Sequence, residues 1–122
     1  MRNGNFFMNR IKTLIIDDEW LIRSELKTML SQYPNIDVIG EAANVNEAVK
    51  LCSNLKPDLV FLDIHIPGGS GFDFLSQISG DFKLVFITAF YQYLDEAKKY
   101  QAIDYLMKPI SKDKLLKVIQ KL

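Results

Sequence analysis

The chain predicts an α/β domain, doubly wound about a parallel sheet. Short apolar runs recur along it, each too short to favour a helix and each ending in polar side chains, as buried strands do. Amphipathic stretches separate them, so that strand and helix alternate five times. The connections are too short for anything but right-handed βαβ crossovers. With 122 residues there is length for one compact domain with a real core and none for a second.

The elements come in order along the chain. Ile11 to Ile16 is a β-rich run that ends in the acidic triplet Asp17-Asp18-Glu19. Ile22, Leu26, Met29 and Leu30 then recur at helical spacing, predicting a helix from about Glu19 to Gln32 that Pro34 stops. Ile36 to Gly40 passes as a second strand, and Asn44 with Glu47 resembles a capping box opening a helix whose inner face is Val45, Ala48, Val49 and Cys52. Pro57-Asp58 feeds a third, central strand, Leu59-Val60-Phe61-Leu62, which delivers Asp63 into the turn His65-Ile66-Pro67-Gly68-Gly69-Ser70-Gly71. On this residue alone, a turn cap and a functional carboxylate are equally good readings. Phe72 to Ile78 can form a short helix, and Lys83 to Ile87 a fourth strand followed by Thr88-Ala89. Tyr91 to Tyr100 reads as a polar helix with a thin apolar stripe, Leu94 and Ala97, hence a weakly anchored one. Ala102 to Met107 is the fifth strand, Lys108-Pro109 follows it, and Ser111 caps a last helix with Leu115, Val118, Ile119 and Leu122 inward.

Composition excludes several function classes. Fifteen basic and fifteen acidic side chains leave no net charge and no basic block, so neither nucleic acid nor an anionic membrane is expected as partner of this chain. No apolar run approaches a membrane span, and the single cysteine, Cys52, cannot form an internal disulfide, so a cytoplasmic location is expected. Cys52 sits in a core stripe without a cationic neighbour and reads as packing rather than as a reactive thiol. Residues 1–9 read as a leader or extension, too short and polar for a signal peptide, with Met8 the expected natural start. The last helix reaches Leu122 without a stop signal, so a longer natural chain is expected.

In a parallel sheet all strand carboxyl ends share one edge, which brings Asp17, Asp18, Asp63, Thr88 and Lys108 to one place. Clustered carboxylates repel, and a hard divalent cation such as Mg2+ relieves them. Lys108 offers a compact positive charge for a phosphoryl oxygen, and Thr88 a hydroxyl. Such a set suits phosphoryl transfer onto a carboxylate, because an ionised Asp needs no base to become nucleophilic.

These residues resemble the receiver domain of bacterial two-component response regulators. The resemblance covers 10–122 and rests on Asp17-Asp18, Asp63, Pro67 with Gly71, Thr88-Ala89 and Lys108-Pro109, each at a strand end and in this order. The stretch Ala102-Ile103-Asp104-Tyr105-Leu106-Met107-Lys108-Pro109-Ile110 looks like the receivers of LytTR (LytR/AlgR-like) regulators, which precede a LytTR DNA-binding domain. The resemblance implies a flavodoxin-like (βα)5 fold with sheet order 2-1-3-4-5 and a signalling phosphoacceptor rather than an enzyme in its own right. Asp63 would accept a phosphoryl group from a phosphohistidine of a sensor histidine kinase, the domain assisting its own phosphotransfer and dephosphorylation. Asp18 would ligate Mg2+ directly, Asp17 mainly through water, Asp63 as acceptor, and His65 through its backbone carbonyl. Lys108 would pair with Asp63 at rest and with the phosphoryl group afterwards. Thr88 and the Ala89 amide would turn to that group, Tyr105 would swing inward behind Thr88, and the Lys108–Pro109 peptide would be cis. The face of the fourth helix, fifth strand and last helix would then control an output domain or a partner, with a homodimer expected on phosphorylation.

Two rival readings fit these residues less well. An aspartyl-phosphate phosphatase of the haloacid-dehalogenase-like class also uses a parallel α/β sheet, but needs a second Asp two residues after the nucleophile, where His65 stands. A pseudo-receiver serving only as an interaction module usually lacks one of Asp17, Asp18, Asp63 and Lys108, all of which are present. His65 has no second His or Cys at ligand spacing, so a solvent-facing ring is expected, or one that overhangs Asp63 and sets the phosphoaspartate lifetime. Gln101 stands where relatives commonly carry glycine. Gly69-Ser70-Gly71 completes neither a dinucleotide fingerprint nor a nucleophile elbow, with Phe74 and Phe72 at the decisive positions. Tyr91, Tyr93 and Tyr100 suit either a contact surface or ordinary packing, and Trp20 is expected to cover the pocket rim or pack locally.

Overall fold

A computed structural model describes residues 10–122; the leader expected over 1–9 lies outside the described residues. Five strands, β1 (Ile11–Ile16), β2 (Ile36–Ala42), β3 (Leu59–Asp63), β4 (Lys83–Thr88) and β5 (Asp104–Met107), form one sheet in the order β2-β1-β3-β4-β5. Every neighbouring pair is parallel. This is the sheet order the resemblance implied.

The helices are α1 (Trp20–Leu30), α2 (Val45–Leu55), α3 (Gly71–Gln77) and α5 (Lys112–Ile119). Between β4 and β5 the expected continuous helix is instead three short pieces, here together called α4: a 3-10 turn Tyr91–Tyr93, one α-turn Leu94–Ala97 and a second 3-10 turn Lys98–Tyr100. Only Ala97 of this stretch is fully buried, so little apolar burial rewards a regular helix there. Gln101 closes it in the left-handed region at φ 53°, the conformation that its glycine-like position suggested. That turn also delays β5: Ile103 N–H bonds to Leu84 O at 2.8 Å, but ladder pairing begins only at Asp104, two residues later than the apolar run proposes.

Alternation along the strands supplies two cores. Leu14, Ile16, Val60, Leu62 and Phe86 face α2, α3 and Ala97 of α4, whereas Ile15, Phe61, Val85, Ile87 and Leu106 face Leu26 and Leu30 of α1 and Leu115 and Val118 of α5. β3 is buried along its whole length, as expected of a strand covered on both faces. Two helix starts agree with their capping signals, Asn44 and Ser111 accepting from the amides of Glu47 and Lys114, and Ser70 likewise accepts from the amide of Asp73. Glu47 returns a bond to the Ala43 amide rather than to that of Asn44, a capping box displaced by one residue. Cys52 is buried in the α2 face, and desolvation pushes its thiol pKa up, away from reactivity.

At the amino edge of the sheet Asp58 joins three strands. Its N–H donates to Lys12 O at 2.7 Å, its Oδ2 accepts from Lys12 N at 2.9 Å, and its carbonyl accepts from Lys83 N at 2.9 Å. At the opposite edge Ile16 lies beside Leu62, Asp63 beside Ile87, and Thr88 beside Met107. Asp17, just beyond β1, therefore emerges level with Asp63, and Lys108, just beyond β5, two residues further along the same edge.

Candidate phosphoacceptor site

Asp63 ends β3 with 4% of its surface exposed, and Asp17 follows β1 fully buried. One carboxylate oxygen from each of Asp17, Asp18, Glu19 and Asp63 lies within 4.8 Å of the others. Lys108 enters from the end of β5, its own N–H bonded to Thr88 O at 2.9 Å. The Lys108 ammonium lies 3.0 Å from Asp63 Oδ2, 2.9 Å from Asp17 Oδ2 and 3.0 Å from Glu19 Oε1. The contact with Asp17 is an ion pair by distance but lacks hydrogen-bond alignment, so Oδ2 of this buried group has no hydrogen-bond partner among the described residues.

The electrostatics are those of a crowded, half-dry cluster. Burial, reinforced by the Asp17 charge, raises the Asp63 pKa to about 6 against the pull of Lys108 and of the His65 amide. Burial disfavours the Lys108 charge too, but Asp17, Glu19 and Asp63 more than offset this and hold its proton firmly. One ammonium cannot neutralise four carboxylates. The all-oxygen donor set, the exposed Asp18 and the orphaned Asp17 oxygen together fit a small hard cation, Mg2+ before any softer metal.

The other expected site residues are distributed around this centre. His65 N–H donates to Asp63 Oδ1 at 3.2 Å. The His65 ring, though exposed, does not stand free in solvent: it packs edge-on against Phe90 at 4.9 Å and Tyr93 at 4.6 Å between centroids, joining the β3–α3 and β4–α4 loops. The contact of His65 with Asp63 is made by its main chain. Thr88 is buried, with its hydroxyl accepting from Phe90 N–H at 3.0 Å, and Ala89 is exposed at the rim. Tyr105 lies half-buried, stacked on Phe86 with centroids 5.9 Å apart and planes 5° from parallel. The Lys108–Pro109 peptide is cis. Gly71 has a steric reason: a Cβ there would stand 2.6 Å from Asp63 O, so only glycine lets α3 begin so close to Asp63.

Two features escaped the sequence reading. Glu19, expected only as the last of an acidic triplet, is a partner of Lys108 across 89 positions of chain. Arg23 donates to Asp17 O at 2.6 Å and to Glu41 Oε1 at 2.9 Å. Its place four residues after Glu19 in a helical pattern was the available signal, but pairing with β2 needed the fold. Trp20 is 69% exposed. Among the tyrosines, Tyr93 and Tyr100 pack on His65 and Phe72, while Tyr91 is 74% exposed.

No helix among the described residues is long and apolar enough to cross a membrane. The response regulator receiver domain family matches residues 13–120. The sensory transduction protein LytT of Enterococcus faecalis is 43% identical over 111 residues, covering 88% of this chain and 46% of that protein. That likeness fits the LytTR-type reading of residues 102–110. The response regulatory domain of protein mrkE from Klebsiella pneumoniae superposes with a TM-score of 0.84 at 30% identity, covering 92% of this chain and 94% of the other. A chain of the CheX–CheY–BeF3–Mg2+ complex from Borrelia burgdorferi superposes with a TM-score of 0.81 at 25% identity, covering 91% and 87%. The chain spans about half the length of the curated relatives it matches. Nothing in these likenesses favours the phosphatase alternative, and His65 still stands where its second Asp belongs. With the sheet order, the acidic cluster and the family match in agreement, this chain belongs to the response regulator receiver domains of two-component signalling.

Proposed function

We propose that Asp63 is the phosphoacceptor of this receiver, a cytoplasmic protein that takes a phosphoryl group from a phosphohistidine of a sensor histidine kinase. The observation that carries this reading is the position of Asp63 Oδ2, 3.0 Å from Lys108 Nζ inside a ring of three further carboxylates. Asp17, Asp18, Asp63 and the His65 carbonyl would hold Mg2+, which when bound supplies charge neutralisation for the transferred phosphoryl oxygens. Support for that metal comes from the donor set and from the Borrelia burgdorferi complex, which was solved with Mg2+ and a beryllofluoride. Lys108 stays with Asp63 until transfer and then holds a phosphoryl oxygen as a point charge. Asp63 attacks as the ionised carboxylate, so positioning rather than a base does the work.

The switch rests on Thr88, Ala89 and Tyr105. At rest the Thr88 hydroxyl is engaged by the Phe90 amide, and a dianionic group on Asp63 offers it a stronger, charge-assisted partner. Withdrawing Thr88 frees space toward which Tyr105 turns, biasing the α4-β5-α5 face. Moving a population from mostly inactive to mostly active takes about 5.5 kcal/mol of differential stabilisation, within reach of a few charge-assisted bonds. That face would pair with a second copy on phosphorylation and control an output region, a LytTR DNA-binding domain being favoured by the likeness to LytT.

The test is direct. Incubated with Mg2+ and a small acyl-phosphate donor, the chain gains one phosphoryl mass, and Asp63→Asn gains none. No adduct in the parent, or an equal one in Asp63→Asn, overturns the assignment; turnover of phosphoesters would favour the phosphatase class.

A further inference from the structure

Asp17 is hydrogen-bonded at every polar atom but Oδ2, which lies 2.9 Å from the Lys108 ammonium. Its N–H donates to Ala42 O at 3.0 Å, its Oδ1 accepts from Glu19 N at 2.8 Å, and its carbonyl accepts from Arg23 Nη1 at 2.6 Å. The last bond bears directly on the next residue. The Asp17 carbonyl belongs to the peptide plane that leads into Asp18, so fixing that oxygen fixes the orientation of the plane and the place of the Asp18 Cα from which its side chain departs. Asp18 itself is exposed and would otherwise be free to turn.

Arg23 is held in turn. Its Nε donates to Glu41 Oε1 at 2.9 Å, and the second oxygen of Glu41 receives Lys27 Nζ at 2.6 Å. The Arg23 side chain is only 17% exposed, so this is a partly desolvated clamp rather than a surface ion pair. Burial would raise the Glu41 pKa, but Lys27 and Arg23 more than reverse it and keep the carboxylate ionised. A cation this close to an acidic cluster could be read as one more neutralising charge. The geometry says otherwise, because Glu41 takes the charge while the guanidinium edge goes to a main-chain oxygen.

We propose that Arg23, clamped by Glu41, is the positioning residue of the metal-binding turn, setting the Asp17–Asp18 peptide plane so that both carboxylates converge. The proposal rests on the Mg2+ reading of the site. Only a planar two-point donor can reach Glu41 and the Asp17 carbonyl together; a lysine ammonium keeps the charge and makes one contact well.

Charge and position predict opposite signs. If Arg23 acted by its charge, Arg23→Gln would remove a positive group near the pocket and tighten Mg2+ binding, while Arg23→Lys would change nothing. As a positioning residue, both substitutions weaken Mg2+ affinity, by about tenfold for Gln and severalfold for Lys. Mg2+ alone is titrated into the chain and followed by calorimetry and by the fluorescence of Trp20, the sole tryptophan. Thermal unfolding in EDTA accompanies each titration. Unchanged or tighter binding in Arg23→Gln, or parent-like binding in Arg23→Lys, overturns the proposal. So does a loss of affinity explained wholly by unfolding in EDTA, which would reassign Arg23 to the fold. If the parent itself binds no Mg2+, the underlying metal reading fails instead.

Discussion

The two loops that flank Asp63 are built on opposite plans. On the β1–α1 side, main chain and side chains interlock: Asp17 bonds to Ala42, Glu19 and Arg23, Arg23 to Glu41, and Glu19 to Lys108. On the β4–α4 side the Thr88 hydroxyl is engaged only within its own loop, at Phe90, and the helix beyond it is three short pieces with one fully buried residue. The difference teaches how a small domain can combine precision with movement. The half that positions charge is over-determined, and the half to which the proposed switch belongs is left with little to lose by shifting.

Substitutions that break this contrast should differ in size and sign. The largest effect is expected from Lys108→Ala. It strands buried carboxylates without their ammonium and should cost about 3 kcal/mol in urea unfolding at neutral pH without Mg2+, much of it restored by saturating Mg2+. Next comes Asp63→Asn, with the opposite sign. Asp63 keeps its proton to about pH 6 in the folded chain against an ordinary value of 3.8, so the folded state binds more protons between these limits and stability falls as pH rises through them. Removing the charge should therefore stabilise the domain in EDTA by about 2 kcal/mol at pH 7, with the gain gone below about pH 4. Equal stability of parent and variant at pH 7 would show that Lys108 fully compensates the cluster.

On the looser side the effects are smaller. Gln101→Gly removes a left-handed non-glycine residue and should raise stability by up to about 1 kcal/mol, less whatever the unfolded chain gains in freedom. A fall in the melting temperature would mean that the Gln101 side chain holds the end of α4 in place. His65→Ala should change stability least, within about 0.5 kcal/mol for an exposed side chain. Its signature would be kinetic, because the ring ties the loop after Asp63 to Phe90 and Tyr93. The phosphoaspartate lifetime should shift, and an unchanged lifetime would leave the ring a packing role only.

The contrast also marks what the sequence could disclose. Buried strands ending in oxygen-bearing side chains made the sheet edge legible, because period and burial are local properties of the chain. Asp63 was legible only through its company, Asp17, Asp18, Thr88 and Lys108 arriving from other strands. The hidden features were long-range and polar. Nothing in the triplet Asp17-Asp18-Glu19 distinguishes the buried member from the two exposed ones, nor ties Glu19 to Lys108. The broken α4 was hidden for another reason: a stripe of Leu94 and Ala97 satisfies helical spacing yet buries too little to enforce a continuous helix.

Asp58 has a consequence at the far end of the sheet. By bonding Lys12 on both its donor and acceptor sides and receiving Lys83, it fixes the sliding position of β1, β3 and β4 against one another. A slip of one residue in β3 would carry Asp63 about 3.3 Å along the sheet and turn its side chain to the opposite face. An aspartate remote from the reacting atoms thus acts as the gauge against which the carboxylate edge is levelled, and the tolerance of the site is set where no phosphoryl group ever comes.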